Sequence, residues 1–181
     1  LSLPFSRKGL EERLGILLQP GTPVILITED PGQAEAALSQ LRGGTFPVLY
    51  VVEGSINAWH ENDLPMEILP EVSVHEISRA VPGGNVVVLD VREPIEWEMG
   101  HVPGAILISL GALRERIQEL PVGIGIAVIC EAGVRSSSAA SILQAEGFTE
   151  VSNVSEGTGG YRKAGLPLEF LEEGSDHQGI S

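Results

Sequence analysis

Short runs of consecutive apolar residues alternate along this chain with stretches in which apolar positions recur every three or four residues. The runs Val24–Thr28, Val48–Val52, Val86–Asp90, Ile126–Cys130 and Val151–Val154 are rich in β-branched residues and are predicted as strands. Most are apolar throughout, the pattern of strands covered on both faces in a parallel sheet. Helical spacing falls between them, over Gln33–Leu41, Val74–Val81, Glu93–Met99, Ala112–Leu120 and Ser136–Glu146, the last with Ala139, Ile142 and Leu143 on one face. Strands alternating with helices predict an α/β fold built on a parallel sheet flanked by helices.

The chain also resembles itself. Displaced by 102 residues, Val24–Glu67 aligns without a gap on Ile126–Glu169, and Ile27/Ile129, Glu29/Glu131, Phe46/Phe148 and Leu64-Pro65/Leu166-Pro167 coincide. Upstream, Leu3–Leu14 resembles Ile108–Ile117 with a small insertion. The counterpart of roughly Val72–Ala105 is missing from the first copy, so one complete unit and one partial unit are expected. Leu69-Pro70-Glu71 suits a linker, which gives a partial unit over 1–69, a complete one over 70–170 and a polar, frayed tail over 171–181.

Composition narrows the function. Eleven Lys and Arg against 25 Asp and Glu give a formal charge of −14, which argues against nucleic acid as a partner, since phosphate backbones are held by cations. Cys130 is the single cysteine, which excludes an internal disulfide and a cysteine-based zinc cluster. The four histidines are scattered, so no metal site and no cofactor are expected. No apolar run is long enough to span a bilayer and no signal-peptide pattern opens the chain, which reads as cytoplasmic, with no membrane partner.

One segment carries chemistry. Cys130 ends an apolar strand, Glu131-Ala132-Gly133-Val134-Arg135-Ser136 forms a tight loop, and a helical pattern follows at once. Ligands of parallel α/β sheets bind beyond the carboxyl ends of strands, and a helix N-terminus there offers unpaired N–H groups and a positive dipole end. A thiolate is stabilised in such a place. Arg135 supplies a cation, Gly133 allows the loop to curl inward, and Glu131 is expected to be only a solvated loop residue.

Cys130-Glu-Ala-Gly-Val-Arg-Ser136 resembles the active-site loop of rhodanese-type sulfurtransferases. Asp90-Val-Arg92-Glu-Pro-Ile-Glu96-Trp97-Glu-Met-Gly100-His101-Val-Pro103-Gly104-Ala105 is similar to that family's Asp-x-Arg, Glu-aromatic and Gly-His-Val-Pro-Gly-Ala signature, and Glu156–Pro167 to its ending. The resemblance covers about Val72–Glu169 and implies a rhodanese-like module with Cys130 and Arg135 as catalytic residues. The loop residues Glu131, Ala132, Gly133, Val134, Arg135 and Ser136 would then hold the substrate. Asp90, Arg92, Glu96 and His101 are expected as structural support, with Arg92 and Glu96 paired within a helical turn, while Trp97 and Tyr161 are expected to pack.

The activity implied is sulfur transfer through a Cys130 persulfide, from a small donor such as thiosulfate or a persulfide to a thiol or cyanide acceptor. An external acceptor is required because no second cysteine can resolve the persulfide. Phosphatase or arsenate reductase chemistry is disfavoured, because four residues separate Cys130 from Arg135 where phosphatase loops have five. The alternative is a non-catalytic binding or regulatory appendage. In the first unit the repeat puts Thr28, Pro31 and Gln33 where Cys130, Gly133 and Arg135 stand, which removes the nucleophile, the flexible glycine and the cation. Such a tandem with a degenerate first module resembles the C-terminal part of metallo-β-lactamase/rhodanese fusions. A natural protein extended at its N-terminus, with a fused or partner metallo-hydrolase, is therefore expected.

Overall fold

The computed structural model describes residues 9–63 and 68–171. The chain divides between Ile68 and Leu69 into two units. The polar tail, the repeat's Leu64-Pro65 and the opening Leu1–Pro4 lie outside the described residues.

In the first unit, α1 (Leu10–Leu17), β1 (Val24–Thr28), α2 (Pro31–Leu41), β2 (Val48–Glu53) and α3 (Ile56–Glu61) follow one another. β1 and β2 pair in parallel. Asp30 caps α2 by accepting from Gly32 N at 2.8 Å, with Pro31 at the first helical position, where its missing N–H costs nothing. Leu10, Leu14, Ala37, Leu41 and Phe46 form the core on one face of this pair. On the other face Ile25, Ile27, Tyr50 and Val52 are exposed. Burial on both faces, expected for these strands, is therefore not found among the described residues, where the helices cover one side only.

In the second unit, β3 (Glu71–Val72), α4 (Val74–Ala80), β4 (Val86–Asp90), α5 (Pro94–Glu98), β5 (Ile106–Leu107), α6 (Leu113–Arg116), β6 (Gly125–Ile129), α7 (Val134–Ala145), β7 (Val151–Val154) and α8 (Gly157–Lys163) build a five-stranded sheet. Its order is β3-β7-β6-β4-β5 and every pairing is parallel. The α/β class and the parallel sheet flanked by helices agree with the apolar runs. Val74, Ile77, Val88, Val102, Ala127, Ile129, Val154 and Tyr161 pack together on one face, and α7 covers β6 and β7 with Ala139, Ile142 and Leu143 buried. Ser73 and Glu76 close a capping box at the start of α4.

The helix expected over Ala112–Leu120 is broken into α6 and two flanking 3₁₀ turns, Leu110–Ala112 and Ile117–Glu119. Pro121 explains the stop: its ring drives Leu120 out of the helical region, to ψ 140. Under the displacement of the internal repeat, β1, α2, β2 and α3 fall on β6, α7, β7 and α8 in the same order, with the strands adjacent and parallel in both units.

Candidate active site

The register of the sheet gathers the chemistry. Asp90 lies opposite Ile129, so the segments leaving β4 and β6 run side by side beyond the carboxyl ends of the strands. Val91 N donates to Ile129 O at 2.9 Å and fixes that start. Cys130 then begins the loop that feeds α7.

Cys130 is 2% exposed, and its Sγ lies 3.4 Å from the Oγ of the fully buried Ser136. Gly133 takes φ 83 at the N-cap of α7, and a Cβ there would collide with the carbonyl oxygen of Ser155. A Cβ on Gly157, at φ 62, would strike the carbonyl oxygens of Glu131 and Cys130. These two glycines let the turn from β7 into α8 lie flat against the loop. Thr158 N donates to Cys130 O at 2.8 Å and Gly159 N to Glu131 O at 3.1 Å. Spare N–H groups of the first turn of α8 thus hold the cysteine backbone from behind. At its other end the loop runs directly into the first turn of α7, with Gly133 as the N-cap. Ala132 and Val134 are exposed on the loop, and their side chains carry no polar atom.

Asp90 and Arg92 form a buried ion pair, 0% and 1% exposed. Arg92 Nε donates to Asp90 Oδ1 and Oδ2 at 3.0 and 2.9 Å, and Nη2 to Oδ2 at 2.7 Å. The rest of the guanidinium donates to the carbonyls of Glu96 and Gly100, both at 3.0 Å. The expected side-chain pairing of Arg92 with Glu96 is therefore corrected: Arg92 hydrogen-bonds the backbone carbonyl of Glu96 and acts on its carboxylate only through charge. Its donors are taken by Asp90 and the two carbonyls, which leaves the Glu96 carboxylate for another partner.

That partner is Arg135. Both guanidinium Nη atoms donate to the two Glu96 oxygens at 2.6 Å. Held this way, the Glu96 carboxyl falls from its ordinary 4.5 to about 2, while Arg135 is pushed above the usual guanidinium range, chiefly by Glu96 and less by Cys130 and Glu93. Glu131 is also corrected, since it is not merely solvated. It accepts from Thr158 Oγ1 at 2.8 Å, is hydrogen-bonded by Arg162, and lies 3.9 Å from Arg92 Nη1. His101 belongs to the frame. Its ring stacks on Trp97 at a centroid distance of 3.6 Å, Nδ1 lies 3.3 Å from Trp97 O, and Nε2 lies 3.8 Å from Glu169. Among the described residues no group of His, Cys, Asp and Glu could hold a metal ion, and no helix is long and apolar enough to cross a membrane.

Sequence reasoning missed Thr158 and Arg162 as partners of the loop. The run Gly157-Thr-Gly-Gly160 was their available signal, since close backbone approach favours glycine.

A loop with a single cysteine, cradled between two helix starts at the end of a parallel sheet, defines a class that comparison with known proteins makes specific. The model of the rhodanese-like domain matches residues 73–164, just over half of the chain. The chain belongs to the rhodanese-like family. It is 38% identical over 90 residues to the putative sulfur carrier protein YrkF of Bacillus subtilis, 49% of each chain. It is 40% identical over 77 residues to the uncharacterized protein YqhL of the same organism, 42% of this chain and 59% of that one. A sulfurtransferase of Allochromatium vinosum is 29% identical over 84 residues, 46% of this chain and 78% of its own length. The chain thus spans about half the length of the first two curated relatives. The crystal structure of a rhodanese-related protein from Thermoplasma volcanium superposes with a TM-score of 0.52 at 29% identity, over 55% of this chain and 97% of that one.

Two consequences are measurable by urea unfolding. Asp90→Asn leaves the Arg92 charge buried beside a neutral amide, and a loss of about 3–5 kcal/mol is expected. An unfolding midpoint equal to that of the parent would contradict this account. The second concerns acid. Because the Glu96 pKa is lower folded than unfolded, its contribution to stability is complete above about 4.5 and is lost as pH falls toward about 2. Glu96→Gln should therefore show a shallower loss of stability across that window.

Proposed function

We propose that the second unit transfers sulfane sulfur by double displacement on Cys130. The Cys130 thiolate attacks the outer sulfur of a donor; the donor's S–S bond breaks and its electron pair departs with the leaving group. The sulfur, now bonded to Sγ as a persulfide, passes to an external nucleophile, a thiol or cyanide, and the thiolate returns. Covalent catalysis splits one difficult transfer into two. The observation that carries this reading is the loop itself: its lone cysteine lies beside Ser136, and the loop runs into the first turn of α7, whose N–H groups would receive negative charge on the terminal sulfur, with the Arg135–Glu96 pair nearby. Relatives named as sulfur carrier and sulfurtransferase support it. In this reading Ala132, Gly133 and Val134 serve through their backbone, and Asp90, Arg92, Glu96 and His101 hold the frame.

The first unit is read as a partial, degenerate copy of the same module over 1–69, beside a complete one over 70–170. The matching order of elements supports this, as does Thr28 at the cysteine's place. Its hydroxyl is engaged by Asp30, accepting from Asp30 N at 3.0 Å, with Asp30 O at 3.2 Å. A small sulfur donor, an external acceptor and, by resemblance of the tandem, a fused or separate metallo-hydrolase that handles thiol persulfides are the partners of this reading.

Incubation with a sulfane-sulfur donor should add one sulfur atom to the intact protein by mass spectrometry, and Cys130→Ser should lose the gain. Turnover should fall by roughly three orders of magnitude or more in that variant. A folded protein that takes up no sulfur from thiosulfate or any persulfide would instead be a binding appendage. Thr28→Ala should leave turnover unchanged in a steady-state assay, and a large loss in the folded variant would overturn the degenerate reading of the first unit.

A further inference from the structure

Three arginines touch the cysteine loop or its supports, and each already holds a carboxylate. Arg92 is bound to Asp90, Arg162 to Glu131, and Arg135 to Glu96 through two hydrogen bonds. The cation that an anionic donor would meet beside Cys130 is thus neutralised. Next to that pair in sequence, Ile95 and Val134 are 67% and 53% exposed, so aliphatic surface flanks it. A small dianion gains little from such a mouth, because its approach to Arg135 is opposed by a full negative charge on Glu96 at hydrogen-bonding distance of the same guanidinium. A sulfur carried on an organic thiol brings less charge and some apolar surface of its own.

We propose that Glu96 sets the choice of donor: by occupying Arg135 it disfavours thiosulfate and reserves Cys130 for persulfides of thiols. The inference rests on the sulfur-transfer reading above and names its substrate class. With thiosulfate, attack on the outer sulfur breaks the S–S bond and releases sulfite with the electron pair, leaving Cys–S–S⁻. With a thiol persulfide R–S–SH, attack on the terminal sulfur releases R–S⁻ and leaves Cys–S–SH, and no further oxidant or reductant enters either step. Glu96 touches neither sulfur, so it is a positioning residue that acts through Arg135.

The test compares thiosulfate with the persulfide of 2-mercaptoethanol on the full chain. Glu96→Gln should raise kcat/KM for thiosulfate by roughly five- to tenfold, almost wholly through KM, and change that for the persulfide by less than about twofold. Glu96→Asp should return thiosulfate toward the parent value, and adding Arg135→Ala to Glu96→Gln should abolish the gain. Alkylation of Cys130 gives a readout independent of sulfur transfer. The ratio of rates with anionic iodoacetate and neutral iodoacetamide should rise in Glu96→Gln by a similar factor. An unchanged KM for thiosulfate together with an unchanged alkylation ratio would overturn the role of Glu96. Failure of the parent to accept sulfur from either donor would overturn the sulfur-transfer reading, while the alkylation ratio would still decide whether Glu96 screens the site.

Discussion

Asp90 and Arg92 are withdrawn from water at the carboxyl end of β4, beside the central strand β6, and much of the site depends on how that burial is satisfied. An unpaired charge there would be intolerable, so Asp90 takes the guanidinium on both oxygens and also accepts from Arg92 N at 3.0 Å. What remains of the fork reaches the carbonyls of Glu96 and Gly100. Two pieces of chain that share no strand, the short helix α5 and the turn before His101, are thereby pinned to the sheet. Trp97 and His101 stack within that pinned segment, and Glu169 bridges to His101 from the end of the unit.

Satisfying the buried Arg92 decides the partner of Arg135. With Arg92 committed to Asp90 and to backbone, the Glu96 carboxylate is turned out toward α7 and meets Arg135 there. The formal charge of −14 belongs to the whole chain, whereas the surroundings of the thiol are a set of matched pairs. Electrostatics at the loop is therefore a local property that whole-chain charge does not describe.

The parallel sheet was legible because β-branched runs such as Val86–Asp90 have one reading at that length, and the loop was legible because strand, cysteine, glycine, arginine and helix stand in one short stretch. The bounds of β1, β4 and β7 agree with the apolar runs. The helix α8 was not legible: Gly157, Gly159 and Gly160 lower its intrinsic propensity, and contacts with the loop compensate, which no local pattern encodes. Nor were the ion pairs. Arg135 and Glu96 lie 39 positions apart, and nothing in the spacing says that Glu96 would prefer Arg135 to the nearer Arg92. Pairing between elements is decided by which donor is already saturated, a fact that exists only once the sheet has assembled.

The flat contact between the cysteine loop and the start of α8 makes two distant stretches of sequence one mechanical part. Neither glycine at that contact has room for a methyl group, and the loop carbonyls have their donors on α8. A designer who transplanted Cys130–Ser136 alone onto another parallel sheet would carry over the thiol without the wall that shapes its loop. The smallest portable unit is the loop together with the turn from Ser155 to Gly159, and the two would have to be varied jointly, since a side chain introduced on one side needs a matching retreat of the other.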